Sequence, residues 1–215
     1  MSARTRTLTT PAVGEGLEVA LTATAAEVIV EAVEGLEEAR AEVAGPPEVL
    51  GAVTADRSGA AWHLTVPALT RAAGHIIQAG DIGSIIVGGD VHVAGIHTGQ
   101  GGVTVLSGVR GGGAAEVSVR LRVPAGTRLR TRLASGSVVT SGPLSAVDHD
   151  GDAARVEVGA AGEVVAATRS GAVRVAGTTG RIRVTTAVGN IDVAAAPGAD
   201  VEAHSQVGDV RVRTA

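Results

Sequence analysis

The chain has 215 residues and a formal net charge of −4, and 45% of its residues are hydrophobic. It contains 31 glycines and one tryptophan but no phenylalanine, tyrosine or cysteine, which excludes disulfide frameworks, thiolate metal sites and cysteine nucleophiles. All 18 basic residues are arginine, so a phosphate-binding loop, which needs a lysine, is excluded as well.

The kind of apolar residue predicts a thin core. Aromatic rings fill the wide centre of an ordinary globular core, whereas valine, isoleucine, leucine and alanine span only a short distance. Frequent valine and glycine favour short strands joined by tight turns, so we predict an all-β fold. Residues 1–60 carry ten acidic residues and four arginines, and residues 114–215 carry ten and twelve. This balance argues against a nucleic-acid partner.

No targeting segment is predicted. The first 13 residues are polar and threonine-rich and lack the apolar stretch of a secretory signal peptide. No run of about 18 apolar residues occurs, so we expect no transmembrane helix. The expected location is the cytoplasm, with non-classical export as an open alternative.

The first part of the chain, residues 1–70, alternates apolar and polar residues in runs such as Leu17–Leu21, Val28–Ala32 and Trp62–Val66. This alternation is typical of half-buried strands and predicts an N-terminal antiparallel β-sheet cap. The stretch Leu36–Val43 is compatible with a helical turn, but we favour a strand.

The middle part, residues 71–113, is rich in glycine and poor in charge. Its alternating valine and isoleucine residues argue against a flexible linker. We predict strands at Ile85–Val87, Val91–Val93 and Val103–Leu106, joined by mobile turns.

The last part, residues 114–215, contains a repeat with a period of about nine residues. We expect the three parts of the chain to form one continuous domain. Five of its six repeat glycines open the phrase Gly-x-(Val/Ile)-x-(Val/Ala), which is typical of a stacked repeat architecture. These structural glycines are Gly162, Gly171, Gly180, Gly189, Gly198 and Gly208.

The repeat predicts a specific pairing of strands. Two nine-residue units would form one flattened coil of about 18 residues with two short strands, which is a β-solenoid. One face would then stack Val173, Ile191 and Val210 inward, and the other would stack Val164, Ile182 and Val201. Outward charges would form ladders, including Arg174 with Asp192 and Arg183 with Glu202, which favour this register.

Several short motifs carry a resemblance to a known family. They are the glycine phrases at Gly80–Ile82, Gly89–Val91, Gly189–Ile191 and Gly208–Val210, and the segments Val117–Thr127 and Ser135–Val138. With them the chain resembles the bacterial β-strand-repeat "putative adhesin" family, known as domain of unknown function 4097, most closely after residue 117. The resemblance implies a parallel β-solenoid with an adhesive or scaffolding role.

One acidic cluster, Asp148–Asp152, invites a metal interpretation. A calcium-binding EF-hand loop needs glycine at its sixth position and glutamate at its twelfth, where this chain has Ala153 and Gly159. We therefore expect a solvated acidic turn and no metal site. The six histidines suggest no ligand set and are expected to be exposed; we also predict no catalytic residues and no cofactor.

Five arginines alternate with apolar residues and predict an outward basic patch. They are Arg120, Arg122, Arg128, Arg130 and Arg132. The patch is either a solvated strand face countered by acids of the first part or a binding site for an anionic surface. The absence of aromatic residues disfavours single-stranded nucleic acid.

The sequence thus predicts a non-enzymatic structural or adhesion-like binding protein that acts through the faces or ends of a solenoid. Its expected partner is a protein or a second copy, because the strand near Val207–Arg213 would present an unpaired edge. Two alternatives stay open: a carbohydrate-processing β-helix enzyme, and a regulatory protein that docks on an acidic surface.

Overall fold

The computed structural model describes residues 4–11, 16–68, 77–79, 84–86, 97–99, 102–104 and 117–214. The chain divides into two compact units. One combines Met1–Ala68 with Glu116–Ala215, and the other is Leu69–Ala115. The first unit therefore contains both the segment predicted as a cap and the segment predicted as repeats.

Nearly all described residues of the first unit lie in strands, which confirms the all-β prediction. The elements in chain order are β1 (Arg4–Pro11), β2 (Glu18–Val33), β3 (Glu38–Gly45), α1 (Pro47–Ala52), β4 (Thr54–Ser58), β5 (Ala61–Val66), β6 (Ile77–Ala79), β7 (Ser84–Ile86), β8 (His97–Gly99), β9 (Gly102–Thr104), β10 (Ser118–Pro124), β11 (Arg128–Ser170), β12 (Val173–Thr178), β13 (Arg181–Val188), β14 (Ile191–Ala195), β15 (Asp200–Val207) and β16 (Val210–Thr214).

The described part of the second unit consists of two small antiparallel pairs, β6 with β7 and β8 with β9. Strands β7 and β9 overlap two of the predicted runs, Ile85–Val87 and Val103–Leu106. The third predicted run, Val91–Val93, lies outside the described residues.

Twelve strands of the first unit form one open sheet of mixed orientation. Strand β3 is antiparallel to β1 and β10, and β4 is antiparallel to β5. Strand β2, however, runs parallel to β5, β10 and β11. The prediction of an antiparallel cap is thus wrong for β2, whose long alternating run pairs with the strands that follow residue 117.

Strand β2 changes its inward face halfway along its length. Val19 and Leu21 are buried in the first half and Val28 and Val30 in the second, so the alternation shifts phase near Ala25. The first half pairs with β5 and the second with β10, while β11 pairs with both halves. Since side chains alternate strictly along a regular strand, this shift marks a bend that turns the two halves toward a shared core.

The C-terminal strands pair with the strand after next and not with their neighbour in sequence. Strands β12, β14 and β16 form one parallel ladder, while β11, β13 and β15 form another. Val173, Ile191 and Val210 are partners in the first ladder, and Ile182 and Val201 in the second. The repeat spacing therefore predicted these residue pairs correctly.

Glycine is required at the bend between the two ladders. Gly171, Gly189 and Gly208 all have positive φ angles, of 137°, 154° and 137°, which L side chains rarely adopt. A Cβ atom on Gly189 would also overlap the backbone carbonyl oxygen of Gly171, and one on Gly208 would overlap that of Gly189. Each bend thus stacks directly on the bend of the preceding strand pair.

We call each strand of a ladder a rung. The predicted apolar columns are buried except at the last rung. Ile191 and Val193 are 1% and 0% exposed, whereas Val210 and Val212 in the same columns are 42% and 52% exposed. The prediction that the last two residues are buried is wrong. Val210 and Val212 keep the predicted register, but no further strand covers them among the described residues.

Helix α1, which the sequence did not predict, packs at the opposite part of the sheet and contacts β1, β3 and β5. Its Val49 and Leu50 are buried. Arg6 on β1 donates hydrogen bonds from Nη1 to the carbonyl oxygens of Leu50 and Val53, at 2.7 and 2.8 Å. A cation at the last carbonyls of a helix is favourable, so Arg6 fixes the helix to the sheet.

Candidate interaction surfaces

The five predicted arginines lie in two groups beside β2. Arg120 and Arg122 are on β10, next to the second half of β2. The other three are on β11, next to its first half. The structure therefore places all of them on outward strand positions but does not bring them together in one ladder.

Acidic side chains neutralise three of these arginines. Arg122 contacts Glu31 at 3.2 Å, Arg130 contacts Asp148 at 3.2 Å, and Arg132 contacts Asp150 at 3.9 Å. Because these pairs are exposed, each stabilises the fold by about 1 kcal/mol or less. Among the described side chains, no acidic group lies within ion-pair distance of Arg120 or Arg128, so these two carry the free positive charge of the set.

The acidic cluster Asp148–Asp152 is part of β11 and not a turn, so this prediction is wrong. Its aspartates point outward, and Asp152 contacts Arg169 at 3.2 Å. No group of three or more metal-ligating side chains is found within the described residues. The cluster therefore belongs to the outward charge ladder.

His149 is buried between these aspartates, with 1% of its surface exposed, so the expectation that it is exposed is wrong. Its Nδ1 lies 2.8 Å from Oγ1 of Thr131, and its Nε2 has no hydrogen-bond partner in the described part of the chain. Burial lowers the pKa of His149 to about 4, although the nearby Asp150 and Asp148 act in the opposite direction. The side chain is therefore neutral at physiological pH.

The sequence contains a signal that could have located His149. Thr131 occurs 18 residues before it, the same separation as between Val173 and Ile191, and both positions follow charged residues. A strand places alternate residues on opposite faces. If the aspartates face water, the histidine between them must face the core. His63 and His204 are exposed, as predicted, and the side chains of His75, His92 and His97 lie outside the described residues.

An open groove of about 340 Å³ lies where β11 passes β2 and β5. Its polar lining residues are Thr22, Thr24, Thr65, Arg132, Asp150 and Asp152. The three charged groups are already engaged in ion pairs, and the groove is open to solvent. Such a surface can offer hydroxyl groups to a polar ligand, but it does not exclude water from a reaction.

Exposed apolar side chains are found on the last rung of each ladder, β15 and β16, and on β13 beside β15. The four large hydrophobic side chains that are exposed in the described residues are Val188, Val207, Val210 and Val212. Val188 and Val207 are partners between β13 and β15, and the other two are on β16. We call these side chains, together with β15 and β16, the open end.

Across the described ranges, no helix has both the length and the apolar character needed to cross a membrane.

Comparison with solved structures finds matches among bacterial proteins. A "putative cell adhesion protein" from Clostridium sporogenes superposes with a TM-score of 0.51 at 6% sequence identity, over 100% of both chains. A "putative adhesin" from Bacteroides fragilis has a TM-score of 0.38 and 11% identity, over 98% of this chain and 97% of that one. No family model and no curated protein matches the sequence, so the family number is not confirmed. The resemblance drawn from the sequence is confirmed at the level of the fold, which the chain shares with the Clostridium protein.

Proposed function

We propose that this chain is a non-enzymatic, adhesion-like binding or scaffold protein whose body is a parallel β-solenoid. Residues 18 apart contact each other even within β11, where Thr131 meets His149 and Arg130 meets Asp148. Val173 and Ile191 repeat the same separation in the later ladder. These registers support a coil of about 18 residues with two strands.

The observation that carries the proposal is the open end. Many outward charges of the strands are matched in ion pairs, whereas Val210 and Val212 on β16 and Val207 on β15 are exposed. Contiguous exposed apolar residues beside polar ones are typical of protein-binding surfaces. A rigid stack that leaves this surface uncovered is suited to holding a partner.

Paired cysteine substitutions test the proposed body, because the chain has no native cysteine. Arg183 and Glu202 are register partners, so their Cα atoms lie about 4.8 Å apart, within disulfide range. We expect Arg183→Cys with Glu202→Cys to close an intramolecular disulfide under mild oxidation. The control Arg183→Cys with Gln206→Cys is displaced by four residues, about 13 Å along the strand, and should not close. Equal closure of both pairs would contradict the proposed coil.

A pull-down from the native cell tests the function. We expect the wild-type chain to retain a partner that Val210→Asp with Val212→Asp loses and that Arg128→Glu with Arg132→Glu keeps. Incubation with neutral and anionic polysaccharides should release no reducing ends. Turnover of a polysaccharide would instead favour the carbohydrate-processing enzyme.

A second candidate is a regulatory protein that docks on an acidic surface. It is favoured by Arg120 and Arg128, which have no acidic partner among the described side chains. Screening weakens attraction between exposed charges, so this candidate predicts that a captured partner is lost at high salt and by Arg120→Glu with Arg128→Glu. Retention under both conditions would contradict it.

Self-association through the open end and a cytoplasmic location stay predictions of the sequence. Light scattering over a concentration series tests the first, and cell fractionation tests the second.

A further inference from the structure

The free edge of β16 presents unpaired backbone groups. Strand β16 pairs only with β14 among the described strands. The Ile191 amide donates to the Asp209 carbonyl oxygen at 2.9 Å. In a parallel ladder, successive residues direct their N–H and C=O groups to opposite sides. Val210, Val212 and Thr214 therefore direct theirs to the free edge, where another strand can pair.

Several outward arginines of the ladders form ion pairs with acids on the following strand. In five ion pairs an arginine contacts an acid that lies 18 or 19 residues later, on the next rung. These pairs are Arg130–Asp148, Arg132–Asp150, Arg174–Asp192, Arg181–Asp200 and Arg183–Glu202, at 2.8 to 3.9 Å. In these five pairs an outward arginine is followed by an acid on the strand stacked beyond it, whereas Arg169 contacts Asp152, which lies earlier in the chain, at 3.2 Å.

The arginines of the last rung have no later strand to pair with among the described residues. Arg213 turns back to Asp192 at 2.9 Å, and Arg211 reaches only the neighbouring Asp209 at 3.8 Å. Val210 and Val212 alternate with these arginines and are themselves exposed. The surface therefore has the alternating apolar and arginine pattern that β12 presents to β14 and β13 presents to β15.

We propose that the open end binds an extended partner segment in which apolar and acidic residues alternate, by adding it as a further strand beside β16. This inference rests on the proposed function, in which the chain acts through its open end. The backbone of the segment pairs with the free edge, its apolar side chains cover Val210 and Val212, and its acids meet Arg211 and Arg213.

Charge favours this occupant over a second copy joined through the same strand. Two β16 edges would bring Arg211 and Arg213 of one copy against the same arginines of the other. Like charges directly opposite each other destabilise a strand pair. At the far end of the sheet, β1 also begins with basic residues, Arg4 and Arg6, so head-to-tail stacking offers no acidic strand.

A labelled synthetic peptide in which valine and aspartate alternate tests the proposal. We expect binding to the full chain with a dissociation constant on the order of 10–100 µM, because a single short strand is added. The amides of Val210, Val212 and Thr214 should become protected from hydrogen exchange. A peptide with lysine in place of aspartate, and one with its valines and aspartates in separate blocks, should bind at least about tenfold more weakly.

Charge reversal in the protein supplies the matched control. Arg211→Glu with Arg213→Glu should lose the aspartate peptide and gain the lysine peptide, whereas Arg128→Glu with Arg132→Glu, which changes the net charge equally, should behave as wild type. If the double variant frays β16, the single variant Arg211→Glu keeps the Arg213–Asp192 contact and should still weaken binding about tenfold.

Three results would overturn the proposal. They are no binding of the aspartate peptide, equal binding of the blocked peptide, and a wild-type dimer that the peptide fails to dissociate. If the peptide fails while the Arg183–Glu202 disulfide closes and the pull-down partner depends on Val210 and Val212, only the nature of the segment is wrong. If, in addition, the disulfide does not close and the pull-down partner does not depend on Val210 and Val212, the proposed function is refuted as well.

Discussion

At the β1 end of the main sheet, helix α1 covers the apolar side chains and Arg6 holds the helix by its last carbonyl groups. At the β16 end, Val210 and Val212 are exposed, and no helix or strand covers them among the described residues. The two ends are built from similar aliphatic strands, so the difference lies in what is placed over them. Both edge strands, β1 and β16, pair with one strand each among the described residues, so the ends differ in the apolar side chains they expose and not in their unpaired backbone groups.

The largest loss of stability is expected when a glycine at one of the stacked bends is substituted. Gly189→Ala places a Cβ atom against the Gly171 carbonyl oxygen at a positive φ, and we expect a loss of about 3 kcal/mol or more, or failure to fold. Gly51→Ala in α1 meets no atom within 4 Å and should be neutral or stabilise the helix by about 0.5–1 kcal/mol. Urea unfolding measures both. A mild effect at Gly189 would show that the bends do not stack tightly.

Acidic pH should lower the stability of the fold, because His149 is buried in its core. The pKa of His149 is lowered to about 4 in the fold, against about 6.5 in the unfolded chain. The unfolded chain therefore binds more protons between these values, and stability is complete above pH 6.5 and falls as pH drops toward 4. The loss approaches about 3 kcal/mol. His149→Leu should flatten this part of the pH curve; an unchanged slope in the variant would assign the effect to other groups.

A smaller loss of stability is expected from valines of one ladder, and it should differ between a buried and an exposed rung. Val193 and Val212 are register partners, but only the former is buried. We expect Val193→Ala to destabilise by about 2 kcal/mol and Val212→Ala by less than about 1 kcal/mol. Equal losses in chemical denaturation would mean that the open end is covered in solution.

The smallest effect concerns the covered end. Arg6→Ala removes two hydrogen bonds to helix carbonyl groups and should cost about 1–2 kcal/mol, with amide exchange accelerated first in α1. Arg4→Ala, an exposed neighbour on the same strand, should stay within about 0.5 kcal/mol of wild type. If the two variants behave alike, the contact of Arg6 with the helix does not stabilise that end.

Glycine spacing predicted the register of Val173 with Ile191 and of Ile182 with Val201, because a fixed period and an alternating pattern together leave one alignment that buries the apolar residues. The parallel pairing of β2 with β10 and β11 was not predicted, since these partners lie about 100 residues away in sequence and no local pattern specifies so distant a neighbour. Helix α1 is too short for a periodic signal. The exposure of Val210 depends on what lies beyond it, which its own alternation does not encode.

The stacked bends also bear on how such a chain changes in length. Gly189 rests on Gly171 and supports Gly208, so each bend is fixed only by the rungs immediately before and after it. Duplicating or deleting two consecutive strands with their bend therefore leaves every remaining bend with an equivalent neighbour, whereas gaining or losing a few residues within a strand shifts all later side chains. Proteins of this architecture can be expected to differ in size by whole repeats, with irregular insertions confined to the turns.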